Sequence, residues 1–226
     1  MPSPLPPPSR PRTAVPAPSR TAALTGALSL LLLLAVAVSW APVVSLDRLV
    51  AGELHASARA EPGFTRVNRV LTDWVWDPWT MRALLLAAVV TLLWHGARLL
   101  ALWVAAASAL GTALQQALKS LVGRARPHWP DPVDSAHYAA FPSGHAMSAA
   151  VTCGLLLWLL ARAGPGPRVW WAAVVLAAVS VLGVGFTRIY LGVHWLTDVL
   201  AGWLLGACVV ALAVLSYERV ALHREP

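Results

Sequence analysis

The sequence predicts an all-α polytopic membrane protein, a six-transmembrane-helix bundle with an interfacial amphipathic segment in its first loop. Three observations carry that prediction. Of the 226 residues, 58% are hydrophobic and only 12% are charged, against roughly 25% charged in an ordinary soluble domain. Mean hydropathy is +0.65. Charge-free runs also recur at the roughly 20-residue length that a helix needs to cross a bilayer core. The net charge of +7 does not point to nucleic acid, because the arginines are scattered between apolar runs and never gather on one face. Cys153 and Cys208 both lie inside apolar stretches, so neither a disulfide framework nor a cysteine zinc site is available.

Residues 1–20 are Pro-rich, carry Arg10, Arg12 and Arg20 and contain no aromatic residue, so they read as a disordered tail. Residues 21–46 hold no charge and form the first span. Their apolar core is longer than the roughly 7–15 residues of a signal-peptide core, which favours an uncleaved anchor over a cleaved signal. Residues 47–78 are the longest polar connection and read as an extracytoplasmic loop. Within it Val67, Val70, Leu71 and Trp74 recur at the i, i+3, i+4, i+7 spacing of an amphipathic helix lying at the interface. Trp74, Trp76 and Trp79 then form an aromatic belt at the entrance to the second span.

Residues 79–218 hold the remaining five spans. The second runs from about Trp79 to Trp94, with Arg82 snorkelling to the headgroups, and it ends in a His95-Gly96-Ala97-Arg98 turn. Leu99 to Leu118, Ser143 to Ala161, Val169 to Thr187 and Val199 to Tyr217 contain no Asp, Glu, Lys or Arg. Gly164-Pro165-Gly166-Pro167 is a turn between spans. Residues 219–226 form a cytoplasmic C-terminal tail. Gly202 and Gly206 make a GxxxG pattern in the last span, which fits close packing within the bundle and leaves a homodimer as the alternative.

In a chain this poor in charge, polar residues beside apolar spans need a reason, because ionisable groups near membrane depth are costly. Three clusters stand out: Lys119 to Pro127 after the third span, Pro142-Ser143-Gly144-His145 at the start of the fourth, and Arg188, His194 and Asp198 between the fifth and the sixth. Six spans put all three on one side of the membrane, opposite both termini. Together they supply cations, two histidines, a carboxylate and a helix start with free N–H groups. That inventory fits a tetrahedral oxyanion. Guanidinium groups fork onto phosphate oxygens, an ammonium adds a point charge, and a helix N-terminus is a ready anion site. His194 and Asp198, four apart, share one helical face. Asp198 can then accept from one ring nitrogen and leave the other as a nucleophile, while His145 protonates the leaving oxygen.

Lys-x6-Arg-Pro, Pro-Ser-Gly-His and Arg-x5-His-x3-Asp, in this order and straddling these spans, resemble the three signature motifs of the type 2 phosphatidic acid phosphatase family of membrane phosphatases. The resemblance runs from about Trp79 to Tyr217. It implies that Lys119, Arg126 and Arg188 bind phosphate oxygens together with Ser143 and the backbone N–H of Gly144. It further implies that His194 forms a phosphohistidine, that Asp198 orients it, that His145 protonates the leaving group and later activates water, and that no metal or other cofactor is needed. The third motif departs from the family pattern, which usually begins Ser-Arg, by reading Thr187-Arg188.

The lone lysine strengthens this assignment. With sixteen arginines and one lysine, the chain uses Arg wherever a generic cation serves, so Lys119 is not one more snorkelling residue. Arg124 has two open readings, a further phosphate ligand or a headgroup contact. His128, Asp131, Asp134 and His137 are broken up by prolines and read as a solvated loop, not a metal site. The expected function is hydrolysis of a phosphate monoester, or of the terminal phosphate of a lipid diphosphate. An anion or phospholipid transporter and a non-catalytic six-span protein are the alternatives, and a soluble haloperoxidase with a similar oxyanion pocket is disfavoured by the uninterrupted spans. The partners are thus a lipid phosphate and the bilayer. Polyprenyl diphosphate, phosphatidic acid and phosphatidylglycerol phosphate all present the same terminal group, so tail contacts and the 47–80 segment must discriminate among them. Positive charges divide almost evenly between the two sides and lean towards cytoplasmic termini once Lys119, Arg126 and Arg188 are set aside. The Arg-, Ala- and Pro-heavy composition suggests a bacterial cell membrane with the site facing outwards.

Overall fold

The computed structural model describes residues 18–222. Its elements in order are α1 (Pro18–Ala37), α2 (Ala41–Ala60), α3 (Pro62–Val70), a π-helical turn (Leu71–Val75), α4 (Pro78–Trp94), α5 (Arg98–Val122), α6 (Gly144–Arg162), α7 (Pro167–Tyr190) and α8 (Leu196–Leu222). Six helical segments are long and apolar enough to cross a membrane, with α3 and α4 counted as one. The protein is thus an all-α polytopic bundle, as the charge-free runs require.

Several boundaries differ from the sequence reading. The first span is not continuous to residue 46: α1 stops at Ala37, Ser39 takes φ 51°, and Pro42 stands in the first turn of α2, where its fixed φ suits a helix start. Residues 18–20, assigned to the tail, are already helical, while the tail's residues 1–17 lie outside the described residues. At the other end α8 continues to Leu222, and residues 223–226 are likewise outside them. Most of the 47–78 connection is helix, not loop. The buried face of α2 carries Asp47, Ala51, His55 and Ala58, a helical i, i+4, i+8, i+11 stripe, and it packs on α7 and α8.

The amphipathic segment lies with its apolar side outwards, as an interfacial helix should: Val67, Val70 and Trp74 are exposed and Leu71 is half-buried, whereas Thr65, Asn68 and Thr72 are buried. A lipid-facing helix presents apolar side chains outwards, so the polar face is the one that docks. Trp76 departs from the expected belt: it is buried and packs with Met81, Ala149 and Val184. Trp74 and Trp79 remain exposed, as interfacial aromatics should.

α6 is the central helix, in contact with α4, α5, α7 and α8. Leu85, Val104, Met147, Val151, Leu155 and Val209 from four helices form the mid-bundle core. The GxxxG face of α8 is used within the chain. A Cβ on Gly202 would lie 2.8 Å from Ser143 O, and one on Gly206 2.7 Å from Ala150 Cβ, so glycine alone allows α8 to approach the start of α6. At the far end of α5, Gly123 takes the left-handed φ of 57° and donates to Lys119 O, a helix stop that releases the chain just after Lys119. Gly202→Ala should therefore lower stability by about 1–3 kcal/mol through overpacking, whereas Gly52→Ala on α2, with nothing within 4 Å, should leave it unchanged or raise it. Thermal unfolding of the two variants in detergent checks the contrast.

Candidate active site

The end of α5, the starts of α4 and α6, the end of α7 and the strap into α8 converge on a cavity of about 240 Å³. Among its lining residues are Lys119, Arg126, Gly144, His145, Arg188 and His194. Six of the eight residues singled out from the sequence thus share one cavity. The other two stand behind it. Asp198 is fully buried beside His194, and Ser143 is fully buried at the N-cap of α6. Ser143 N donates to Asp198 O over 2.9 Å, so the start of α6 is tied to the start of α8.

His194 is held from both directions. Its backbone N donates to Arg188 O at 3.2 Å, which fixes the strap between α7 and α8. Its Nδ1 lies 3.2 Å from Asp198 Oδ2. A carboxylate only accepts, so Nδ1 carries the proton and Nε2 presents its lone pair. Nε2 accepts from Arg126 Nη1 at 3.1 Å. Burial above all, and then the charges of Arg126, Arg188 and Lys119, hold the imidazole well below its ordinary pKa. A neutral ring with a free Nε2 is what a nucleophile at this position requires.

Asp198 in turn is saturated. Its Oδ2 accepts from Trp195 N at 2.9 Å, and its Oδ1 accepts from Arg124 Nη1 at 2.6 Å. Arg124 is therefore neither a phosphate ligand nor a headgroup contact. Its Nη2 reaches Asp47 Oδ2 at 2.6 Å, and its Nη1 also donates to Thr197 Oγ1 at 2.7 Å. Asp47 completes the network by accepting from Thr197 N at 2.9 Å and Thr197 Oγ1 at 2.6 Å. Sequence reasoning missed Asp47. The visible signal was a single acid ending a charge-free run, but its partners lie 77 and 150 residues away in the chain.

The cations are kept in place by the loop between α5 and α6. Lys119 Nζ donates to Ala139 O. Arg126 donates from Nε to Tyr138 O at 2.9 Å, from Nη2 to His137 O at 3.1 Å and from Nη1 to Val193 O at 2.6 Å. Burial lowers the Arg126 guanidinium from its ordinary value, with Asp198 and Asp134 acting in the opposite sense. Arg188 is buried at the end of α7 and donates from Nη1 to Thr72 Oγ1 at 3.2 Å, while its Nε and the Ser143 hydroxyl have no partner among the described residues. These orphaned donors and the free N–H groups at the start of α6 suit an oxyanion. Thr187 does not line the cavity. Its hydroxyl donates back to Val184 O at 2.8 Å.

His145 faces Asp77, with Nε2 3.9 Å from Oδ2. Asp77 also caps α4 by accepting from Trp79 N at 2.7 Å, which fixes the carboxylate beside the imidazole. This carboxylate too escaped sequence reasoning, because it belongs to none of the three clusters. Elsewhere Asp131 pairs with Arg59 at 3.0 Å, on the loop that reads as solvated. The arrangement as a whole offers an oriented imidazole, a second imidazole opposite a carboxylate, and four cations, Lys119, Arg126, Arg188 and Arg82, around one small cavity. Such a set can stabilise charge developing on a transferring phosphoryl group.

A model of the PAP2 superfamily matches residues 100–221. Phosphatidylglycerophosphatase B of Bacillus subtilis is 34% identical over 113 residues, covering 50% of this chain and 55% of that protein. An undecaprenyl-diphosphatase of Sulfolobus acidocaldarius is 39% identical over 75 residues, covering 33% of this chain and 32% of that protein. The chain thus spans about half the length, or less, of the curated relatives it matches. In fold it is similar to the crystal structure of a transmembrane PAP2-type phosphatidylglycerolphosphate phosphatase from Bacillus subtilis, with a TM-score of 0.78 over 88% of this chain and 97% of that one, at 23% identity.

Removing Asp47 leaves Arg124 half paired and Thr197 N without its acceptor. Asp47→Ala should cost about 3 kcal/mol, the order found when one partner of a buried ion pair is deleted. Chemical unfolding in detergent checks it, and an unchanged midpoint would refute the structural role given to the network.

Proposed function

This chain belongs to the PAP2 superfamily, and from that premise we propose that it is an integral membrane phosphatase that removes the terminal phosphate of a lipid phosphate through a phosphohistidine on His194. The observation that carries this reading is the oriented imidazole: Nδ1 bound to Asp198 at 3.2 Å, with the ring opening onto the cavity shared by Lys119, Arg126 and Arg188. The names of the relatives, a phosphatidylglycerophosphatase and an undecaprenyl-diphosphatase, support a lipid bearing a phosphate as the substrate.

In the first step His194 Nε2 attacks phosphorus, the bond from phosphorus to the bridging oxygen breaks, and protonated His145 gives its proton to that oxygen. Asp198 stabilises the imidazolium side of the new N–P bond by accepting from Nδ1. Lys119, Arg126 and Arg188, with the N–H of Gly144, take up charge on the three equatorial oxygens, and Ser143 supports the same helix start. In the second step His145 takes a proton from water, the resulting hydroxide attacks phosphorus, and the N–P bond breaks to release orthophosphate and restore His194. The protein's own residues perform every proton transfer.

The active site is proposed to face outwards from a bacterial cell membrane, with both termini cytoplasmic. The charge distribution among loops and the usual extracytoplasmic site of the family support that orientation. A reporter active only in the cytoplasm, fused after Pro226, should be active, and silence on expressed protein would reverse the topology.

His194→Ala should abolish both phosphate release and trapping of a 32P-labelled phosphoenzyme, and retained turnover would refute the nucleophile. Lys119→Arg should lower kcat/KM at least about tenfold, because a planar fork does not replace a point charge in a filled pocket. The assay is phosphate release from a lipid phosphate by the purified protein.

A further inference from the structure

Arg82 and Gln115 line the phosphate cavity and also line the cleft beside it, whose other walls include Leu85, Gly111, Met147 and Val151. Ser108, Thr112, Ser148 and Thr152 complete those walls, so Arg82 and Gln115 stand between the cationic site and a small cleft of mixed polarity. Gln115 lies four residues before Lys119 on α5, and Arg82 lies four residues after Pro78 on α4. At 1.5 Å rise per residue, each is rooted about 6 Å further along its helix than Lys119 or Pro78.

Neither side chain is satisfied by the protein around it. Gln115 is only 6% exposed, yet its amide makes no hydrogen bond among the described residues. It lies against the start of α6, so close that a Cβ on Gly144 would sit 2.7 Å from Gln115 Nε2. Buried amides are rarely left without a partner. Arg82 is half-buried, and its guanidinium has one recorded contact, the ring of Trp79 at 5.0 Å. Arg124, by contrast, is matched by two carboxylates. A guanidinium that lines a cavity one turn into a span, with no carboxylate against it among the described residues, is costly unless an anion joins it.

We propose that Arg82 and Gln115 form a second oxyanion subsite, which selects lipids carrying another phosphate group between the scissile phosphate and the apolar chain. The inference rests on the phosphatase reading above and names the substrate feature that the same site prefers. The order of the walls matches such a molecule: the cations and His194 for the terminal phosphate, and Arg82 and Gln115, one turn further along their helices, for the inner one. A guanidinium fork and an amide N–H are suited to non-bridging phosphate oxygens. A lipid monophosphate such as phosphatidic acid puts only neutral ester groups at this level.

The test compares substrates that share a tail, using the full chain in detergent and initial rates of phosphate release. One pair is geranylgeranyl diphosphate and geranylgeranyl monophosphate. The other is dioleoyl phosphatidylglycerol phosphate and dioleoyl phosphatidic acid. Arg82→Gln and the near-isosteric Gln115→Glu should each lower the ratio of kcat/KM for the two-phosphate lipid over its one-phosphate partner by about tenfold or more, the loss of one charge-assisted contact, and Arg82→Lys should keep part of it. A drop in the first pair alone assigns the inner group as the proximal phosphate of a diphosphate, and a drop in the second alone assigns it as a phosphodiester. A ratio unchanged in both pairs, or losses equal on both members, overturns the subsite. If the wild-type protein releases phosphate from none of the four lipids, the phosphatase reading fails. The subsite is then decided by thermal stabilisation with pyrophosphate against orthophosphate: a preference for pyrophosphate that Arg82→Gln removes sustains it, and its absence or persistence overturns it.

Discussion

Arg124, held between Asp47 and Asp198 at 2.6 Å on each side, is the interaction on which the rest of the site depends. It joins α2 to the start of α8 through the first residues of the loop that follows α5. Asp198 is thereby fixed on one oxygen by Arg124 and on the other by Trp195 N and His194 Nδ1. The imidazole is oriented only because the carboxylate is. Buried charges are tolerated when paired and hydrogen-bonded and are punished when one partner is missing, so this network is both a structural clamp and the support of the proposed nucleophile. It also explains why α2, which crosses no bilayer of its own, is packed against α7 and α8 at all.

The spans and the grouping of the candidate site residues were legible in the sequence for different reasons. Length and the absence of charge suffice for a bilayer-crossing helix, and that is why the runs after residue 98 agree with α5 to α8 to within a few residues. Lys119, Arg126, His145, Arg188 and His194 were legible because apolar surroundings make each polar residue conspicuous. Asp47 was not, since nothing local distinguishes an acid that caps a span from one that meets an arginine 77 residues later. Asp77 was hidden by its proximity to the tryptophans, where a cap and an interfacial belt look alike. Trp76 illustrates the same limit of local pattern. It stands two and three residues from the exposed Trp74 and Trp79 and is buried because α7 offers Gly183, where a Cβ would collide with its ring.

The segment from residue 62 to 75 shows how the solvent reverses a familiar rule. Apolar residues at helical spacing mark the buried face in water, but here Val67, Val70 and Trp74 are exposed and Thr65, Asn68 and Thr72 are buried. The polar side finds partners inside the protein: Thr65 Oγ1 donates to Ala58 O at 2.7 Å, and Thr72 accepts from Arg188. Spacing alone locates the helix, and reading it as interfacial turns its apolar side to lipid. The choice depends on whether lipid or water lies outside, and the sequence states that only through the chain's composition as a whole.

The loop between α5 and α6 resolves a tension built into any cation-rich site beside a membrane. Lys119, Arg126 and Arg188 need partners when no oxyanion is present, because unpaired charge at this depth is costly. Backbone carbonyls supply them for two of the three, Ala139 for Lys119 and His137, Tyr138 and, from the strap into α8, Val193 for Arg126, while Arg188 has the Thr72 hydroxyl. Carbonyls are neutral acceptors, and charged oxygens bind the same donors more strongly. In the proposed reaction, a phosphate entering the cavity therefore exchanges weaker acceptors for stronger ones on Lys119 and Arg126 without first stripping them bare. A carboxylate in the same place would hold the cations more firmly and compete with the phosphate. This is why the carboxylates of the site stand behind the imidazoles, Asp198 against His194 and Asp77 against His145, while Asp47 is spent on Arg124 alone among the cations. The scarcity of charge that marks the sequence is thus matched by its arrangement, with negative groups steering the histidines and positive groups left facing the cavity.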